Sequence, residues 1–321
     1  MIPPEAAATA RAYGLAPNRL QPVASAYREA AAFRAGGVLL KPFRYGERRL
    51  YYATVALRHM AERGCRLVPA LVETPDGDRY IRIGDTWWYA TTWITGRRPR
   101  WPGDLEGAAR SLAAFHSAAQ GCFIPYSGSR SWRKRWAGLL QDLLDFTRQA
   151  EAGATAFDRQ YAAAAGTFVD QAARAVAALE KSEYDRLEAD CRRRPAFCHR
   201  DLTAANLVVD MAGQVCLVDP DTWGPELRSY DLTRLLLAGA GADPGRALGA
   251  VAEYEAAEAL DRRERRLLPW AYLLPREYWW AGVCRYRRPA AGVDPQALLQ
   301  AAIRGAGARE ACARALKEAL A

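Results

Sequence analysis

Two short apolar runs separated by a turn constrain this chain more than any other feature. Leu207-Val208-Val209 and Val215-Cys216-Leu217-Val218 flank Asp210–Gly213, a pattern that predicts a buried two-stranded hairpin. Asn206 stands just before the first run and Asp219 just after the second. Because such strands are antiparallel, both polar side chains emerge at the same end of the ribbon. An amide oxygen and a carboxylate converging there suit Mg²⁺, a hard cation that takes oxygen ligands, and Asp221 can assist. Upstream, His199-Arg200-Asp201 puts the Asp201 carboxylate on the loop entering the hairpin, where it can accept the proton of an attacking hydroxyl. The spacing is His-x-Asp, four residues, Asn, then Asp thirteen positions beyond that Asn. A base, two metal ligands and neutralised phosphate charge make up a phosphoryl-transfer arrangement. A His-x-Asp tripeptide alone is a chance pattern; the weight lies in its spacing to a strand–turn–strand ending in Asp.

The rest of the chain divides near residue 95. With 321 residues, each half is long enough to bury a core of its own. Residues 1–18 read as a short helix, and 20–33 with 38–43 as a β-hairpin around Gly36-Gly37. Residues 46–63 carry apolar positions at helical spacing, and Gly64 stops them. Strands are expected at 67–73, 79–83 and 86–93, the first two joined by Thr74-Pro75-Asp76-Gly77. Beyond Gly96, residues 105–119, 131–151, 154–188 and 246–259 read as amphipathic helices, and the last fifty return to helix. The expected fold is α+β and two-lobed. Residues 1–95 form a small antiparallel sheet with one helix, and 96–321 a larger helical lobe with the catalytic hairpin. The Gly- and Pro-containing stretch 91–103 suits a hinge between them.

Composition excludes several classes. Thirty-three aromatic residues, ten Trp, fifteen Tyr and eight Phe, are incompatible with wholesale disorder. No apolar run approaches the roughly 20 residues of a bilayer span. The first residues lack the basic and apolar blocks of a secretory signal, so cytoplasmic synthesis is expected. Seven widely spaced cysteines with no Cys-x-x-Cys pair argue against a disulfide framework or a zinc site. The formal charge is +9, but only four of 45 basic residues are lysine. That excess of arginine reflects coding bias, so nucleic-acid binding is not the favoured reading. The surplus either draws in an anionic substrate or keeps the protein soluble.

The segment HRDLTAANLVVD with VCLVDPD resembles the catalytic segment of the protein-kinase-like fold, in the variant of the aminoglycoside phosphotransferase and choline kinase group. Asp219-Pro220-Asp221 stands where protein kinases carry Asp-Phe-Gly. Ser229-Tyr230-Asp231-Leu232 matches the downstream Asp-Leu with which small-molecule kinases brace the loop. Over residues 20–290 the chain is similar to the CotS-type spore coat proteins of that superfamily. The resemblance implies ATP and Mg²⁺ as cofactors, a small-molecule or sugar acceptor, and other spore coat proteins as partners, with deposition in the spore coat. The catalytic set is then Asp201, His199 and Asn206, His199 being structural rather than a proton carrier. Metal ligands are Asn206, Asp219 and Asp221. Lys41, in VLLKPF, occupies the position of the phosphate-binding lysine, with Glu47 as its acidic partner. The backbone of Thr92, Trp93 and Ile94 would meet the adenine edge. No Gly-x-Gly-x-x-Gly is present, and the nucleotide-covering hairpin at 24–29 holds no glycine. The alternative implied is a weak or inactive kinase-like scaffold with a structural role in the spore coat.

Two further patterns stand out. Trp132 and Trp136 are four apart and share one helix face, so packing of an exposed basic helix near the substrate cleft is favoured over nucleic-acid stacking. His116 is expected to be a packed helix histidine, and Trp87-Trp88 and Trp279-Trp280 core or cleft-wall aromatics.

Overall fold

In the computed structural model of the chain, the described residues are 2–25, 28–122, 124, 131–193, 196–290 and 292–321. Helix α1 (Pro4–Ala12) starts on proline, whose missing N–H is not needed in a first turn. It packs Ala6 and Ala10 against one face of an antiparallel sheet. That sheet contains β1 (Gln21–Ser25), β2 (Arg28–Ala35) and β3 (Val38–Phe43), followed after helix α2 (Glu47–Glu62) by β4 (Leu71–Val72), β5 (Tyr80–Ile83) and β6 (Thr86–Thr92). The order is β1-β2-β3-β6-β4, with β5 also on β6. The tip of the hairpin expected to cover a nucleotide, Ala26-Tyr27, lies outside the described residues.

The register of β3 against β6 decides what reaches the site. Leu40 lies opposite Ala90 and Lys41 opposite Tyr89. Side chains alternate along a strand, so Leu40 and Ala90 join the core under α1 while Lys41 and Tyr89 share the other face. On that face Phe43, Leu50 of α2 and Tyr89 form a second small cluster. The expected strand 67–73 shrinks to two residues. Pro69 cannot donate to a ladder, and the Leu67 carbonyl instead accepts from Leu217 N at 2.8 Å.

The stretch expected as a hinge is clamped. Gly96-Arg97 forms β7 and pairs with residues 209–210 of the catalytic hairpin. A Cβ on Gly96 would fall inside the Val209 carbonyl oxygen and 2.7 Å from Val208 Cγ1, so only glycine admits this approach. Arg97 and Asp104 then form an ion pair at 2.7 Å.

Beyond it come α3 (Leu105–Ala118), α4 (Trp132–Glu151), α5 (Ala156–Glu180) and α6 (Tyr184–Arg193). The single helix expected over 154–188 is thus two. Ser182 turns back on Leu179 O at 2.7 Å and accepts from Tyr184 N at 3.2 Å, ending one helix and opening the next without Gly or Pro. Thr155 and Asp158 form a reciprocal capping box at the start of α5. Strands β8 (Phe197–Cys198), β9 (Leu207–Asp210), β10 (Val215–Leu217) and β11 (Gly224–Pro225) carry the catalytic segment. Helices α7 (Arg228–Gly239), α8 (Pro244–Ala257), α9 (Arg262–Leu273), α10 (Arg276–Tyr286) and α11 (Pro295–Ala319) complete the chain. One core joins α2, α3, α7, α8 and the catalytic hairpin; a second joins α4, α5 and α10. Trp132 and Trp136 stack at 5.2 Å, both buried, as their spacing predicts. Their basic neighbours are paired, Arg133 with Asp185 and Arg135 with Glu226.

Candidate active site

The His199–Asp201 loop hangs from a buried carboxylate. Asp231, in the first turn of α7, accepts from His199 N at 2.6 Å and Arg200 N at 2.8 Å. His116 of α3 meets the same carboxylate at 3.2 Å and the Tyr254 hydroxyl of α8 at 2.7 Å. Burial alone would raise the Asp231 carboxyl, but its bond to His116 and the backbone donors hold it below the ordinary range. Arg200 adopts φ 68°, a left-handed conformation that a non-glycine residue keeps only when its surroundings enforce it. His116 is therefore the packed histidine that was expected, and it also braces the loop.

His199 is a second brace. Its Nε2 lies 2.7 Å from Val218 O and its Nδ1 3.4 Å from Asp201 N. A carbonyl only accepts and an amide only donates, so these contacts suit the tautomer with the hydrogen on Nε2. With both nitrogens engaged, His199 fixes the loop against the hairpin. The Asp201 side chain, by contrast, remains 48% exposed. Asn206 donates its Nδ2 to Asp201 O at 2.8 Å and Asp201 Oδ2 at 3.1 Å. Arg98, beyond β7, donates to the Ala204 and Ala205 carbonyls of the same loop.

The hairpin behaves as its pattern predicts. Val215 pairs with Val209 and Leu217 with Leu207, which sets Asn206 and Asp219 at one end. Asp219 also has φ 68°. Lys41 Nζ donates to Asp219 Oδ1 and lies 2.9 Å from Asp221 Oδ2. The Tyr89 hydroxyl donates to Asp221 Oδ1 at 2.6 Å. Burial opposes both charges, yet the pairing wins: Lys41 is pushed above its usual pKa and Asp219 held below. Asp221 goes the other way, to about 6, since burial outweighs its attraction to Lys41 and Asp219 adds repulsion.

One expectation needs correction. Glu47 is exposed and lies beside the Tyr80 hydroxyl, whereas Lys41 takes its acids from Asp219 and Asp221. Glu47 opens α2 only six residues after Lys41, and the side chains of Phe43, Leu50 and Tyr89 fill the intervening face. Of the proposed adenine-contacting residues, Thr92 N donates to Ala70 O at 2.8 Å and Trp93 N to Gly37 O at 2.7 Å. Those two amides are consumed by the sheet edge and offer no donor to a base in this structure; Ile94 follows them. Tyr89 was not anticipated from sequence. Its role depends on the β3–β6 register, which no local pattern declares.

The donor set fits a divalent cation. Asn206 commits its amide N–H groups to Asp201, and among the described residues its Oδ1 takes no hydrogen bond. Asp219 and Asp221 add carboxylate oxygens to this all-oxygen set.

An antiparallel sheet with its lysine facing a braced His-x-Asp loop and an Asn/Asp hairpin defines a protein of kinase-like fold. The match to the phosphotransferase enzyme family extends over residues 19–268. The chain belongs to that family. Among solved structures, an aminoglycoside phosphotransferase from Alicyclobacillus acidocaldarius subsp. acidocaldarius DSM 446 is 22% identical with a TM-score of 0.84, covering 100% of this chain and 96% of that one. A spectinomycin phosphotransferase, APH(9)-Ia, in complex with ADP and spectinomycin, is 13% identical with a TM-score of 0.64 over 93% of each chain. The amicoumacin kinase hAmiN, in complex with AMP-PNP and Ca²⁺, is 16% identical with a TM-score of 0.61, over 93% of this chain and 91% of that one. No helix among the described residues is long and apolar enough to cross a membrane.

Proposed function

We propose that the protein transfers the γ-phosphoryl group of ATP, with Mg²⁺, to a hydroxyl of a small molecule or sugar. The observation that carries this reading is the convergence of Asp201, Asn206 and Asp219 beside Lys41 on a loop locked by Asp231. The acceptor O–H gives its proton to the Asp201 carboxylate as its oxygen bonds to phosphorus; the bond from phosphorus to the β–γ bridging oxygen breaks, and ADP leaves. Lys41, a compact ammonium, orients the α- and β-phosphates. Asn206 and Asp219 would hold Mg²⁺, with Asp221 assisting, and the ion would neutralise phosphate charge when bound. Support for nucleotide and divalent metal comes from relatives solved with ADP, or with AMP-PNP and Ca²⁺. A division into a nucleotide lobe, 1–95, and an acceptor lobe, 96–321, belongs to the same proposal. So does an association with the spore coat, which rests on sequence resemblance alone.

A kinase-like scaffold without nucleotide chemistry makes the opposite prediction in a simple assay. A ligand that binds only the folded state raises stability by about 2.7 kcal/mol at a hundred times its Kd. ATP with Mg²⁺ at millimolar concentration is therefore expected to raise the melting temperature by several degrees. No rise, in protein that unfolds cooperatively, would favour the scaffold.

A further inference from the structure

Three arginines gather beside the catalytic loop, each from a different element. Arg135 of α4 lies over the Tyr230 ring at 5.0 Å, and Arg276 of α10 lies over the same ring at 5.2 Å. Arg234, one turn after Tyr230 on α7, has its Nη2 3.9 Å from Asp201 Oδ1. The carboxylates available do not balance them. Glu226 pairs with Arg135 at 2.7 Å and divides its charge with Trp132 Nε1 at 3.0 Å and Leu227 N at 3.2 Å. No carboxylate among the described residues lies within ion-pair distance of Arg276; its neighbour Glu277 pairs with Arg309 at 2.6 Å. Among the described residues Arg234 has only Asp201, the proposed base. Among the same residues the enclosed Nε atoms of Arg135, Arg234 and Arg276 find no hydrogen-bond partner. Burial, opposed by Tyr230, and then the charges of Arg234 and Arg135 pull the Arg276 guanidinium below its ordinary pKa.

Crowding like charges at partly desolvated positions is unfavourable and persists at sites that meet an opposite charge. Guanidinium forks match carboxylate and phosphate oxygens. The side chains of Arg135 and Arg234 remain 27% and 29% exposed, so the cluster opens to solvent beside Asp201. We infer that the acceptor carries an oxyanion, a phosphate or a carboxylate, which docks on Arg234 and Arg276 with Arg135 behind and presents its hydroxyl to Asp201. This rests on the phosphotransferase reading above and narrows its substrate class: a polyamine acceptor would meet three guanidiniums against two carboxylates, a net positive site where it needs a negative one.

The test is calorimetric titration of the full chain, with ADP and Mg²⁺ present to fill the nucleotide site. The probes are inorganic phosphate, gluconate as a hydroxylated carboxylate, and glucosamine as an amine. At least one anion is expected to bind about ten-fold more tightly than glucosamine, and the tighter one tells phosphate from carboxylate. Arg276→Gln and Arg234→Gln should each weaken it about ten-fold with the Kd for ADP unchanged. Arg276→Gln should also melt no lower than the parent without ligand, because it removes an unpaired charge. The inference is overturned if neither anion binds, if glucosamine binds as tightly, or if both substitutions leave anion binding unchanged. Should ADP itself not bind, the phosphotransferase reading fails; phosphate titrated without nucleotide, with the same dependence on both arginines, still decides this one.

Discussion

Asp201→Asn is expected to lower kcat for phosphoryl transfer by about 10²- to 10⁴-fold while leaving the Kd for ATP within about two-fold of the parent. The substitution keeps size and polarity but removes the group that accepts the acceptor's proton. Asp201 is suited to that role because its backbone and carboxylate are held by Asn206, at 2.8 and 3.1 Å, while the side chain stays open to solvent. Its tie to the nucleotide–metal site runs through Asn206, whose Nδ2 an asparagine side-chain oxygen can still accept, so ATP binding should survive. Steady-state transfer measured alongside equilibrium nucleotide binding separates the two quantities. An unchanged kcat would remove Asp201 from the chemistry, and a parallel loss of ATP binding would mean that the loop had collapsed.

Asp231→Ala should act on stability first. It leaves one buried and one partly buried backbone N–H and a buried imidazole without their acceptor, and the whole Asp231 side chain is inaccessible to water. Removing one partner of such a buried network costs about 3–5 kcal/mol, enough to consume much of an ordinary domain's stability. Arg200, held at φ 68° by that carboxylate, would relax, and Asp201 would move with it. Urea unfolding should show a midpoint shifted far down with little change in slope. A variant that unfolds like the parent would show that the loop stands without its carboxylate anchor.

How much of this was legible depends on how local each constraint is. The hairpin was readable because two short apolar runs and a four-residue turn decide where Asn206 and Asp219 emerge, and the whole unit lies within 14 residues of sequence. Asp231 was recognised by its resemblance to the family pattern and His116 as a packed helix histidine, but their direct contact needs α3 and α7 side by side. Lys41 was placed correctly on its strand. Its partners were not, because Glu47 is near in sequence whereas Asp219 and Asp221 are near only once β3 and β6 set their face toward the hairpin. Gly96 was read as freedom and proved to be a close approach, since a glycine's lack of Cβ serves either purpose. The formal charge of +9 is not spread evenly in its effect. Much of the arginine surplus sits in ion pairs such as Arg133–Asp185, Arg174–Glu310 and Arg228–Glu258. The group from α4, α7 and α10 sets three guanidiniums against two carboxylates, a juxtaposition that no linear pattern could have assembled.

The central claim is that Lys41, Asn206 and Asp219 form a nucleotide–metal site, and it is tested most directly by calorimetric titration of ATP into the full chain and its Asp219→Ala variant, each with Mg²⁺ and with the metal chelated. The account predicts saturable binding by the parent that weakens at least about ten-fold on chelation and does not respond to Mg²⁺ in Asp219→Ala. Binding of equal strength in all four titrations, or none in the parent with Mg²⁺, would contradict it.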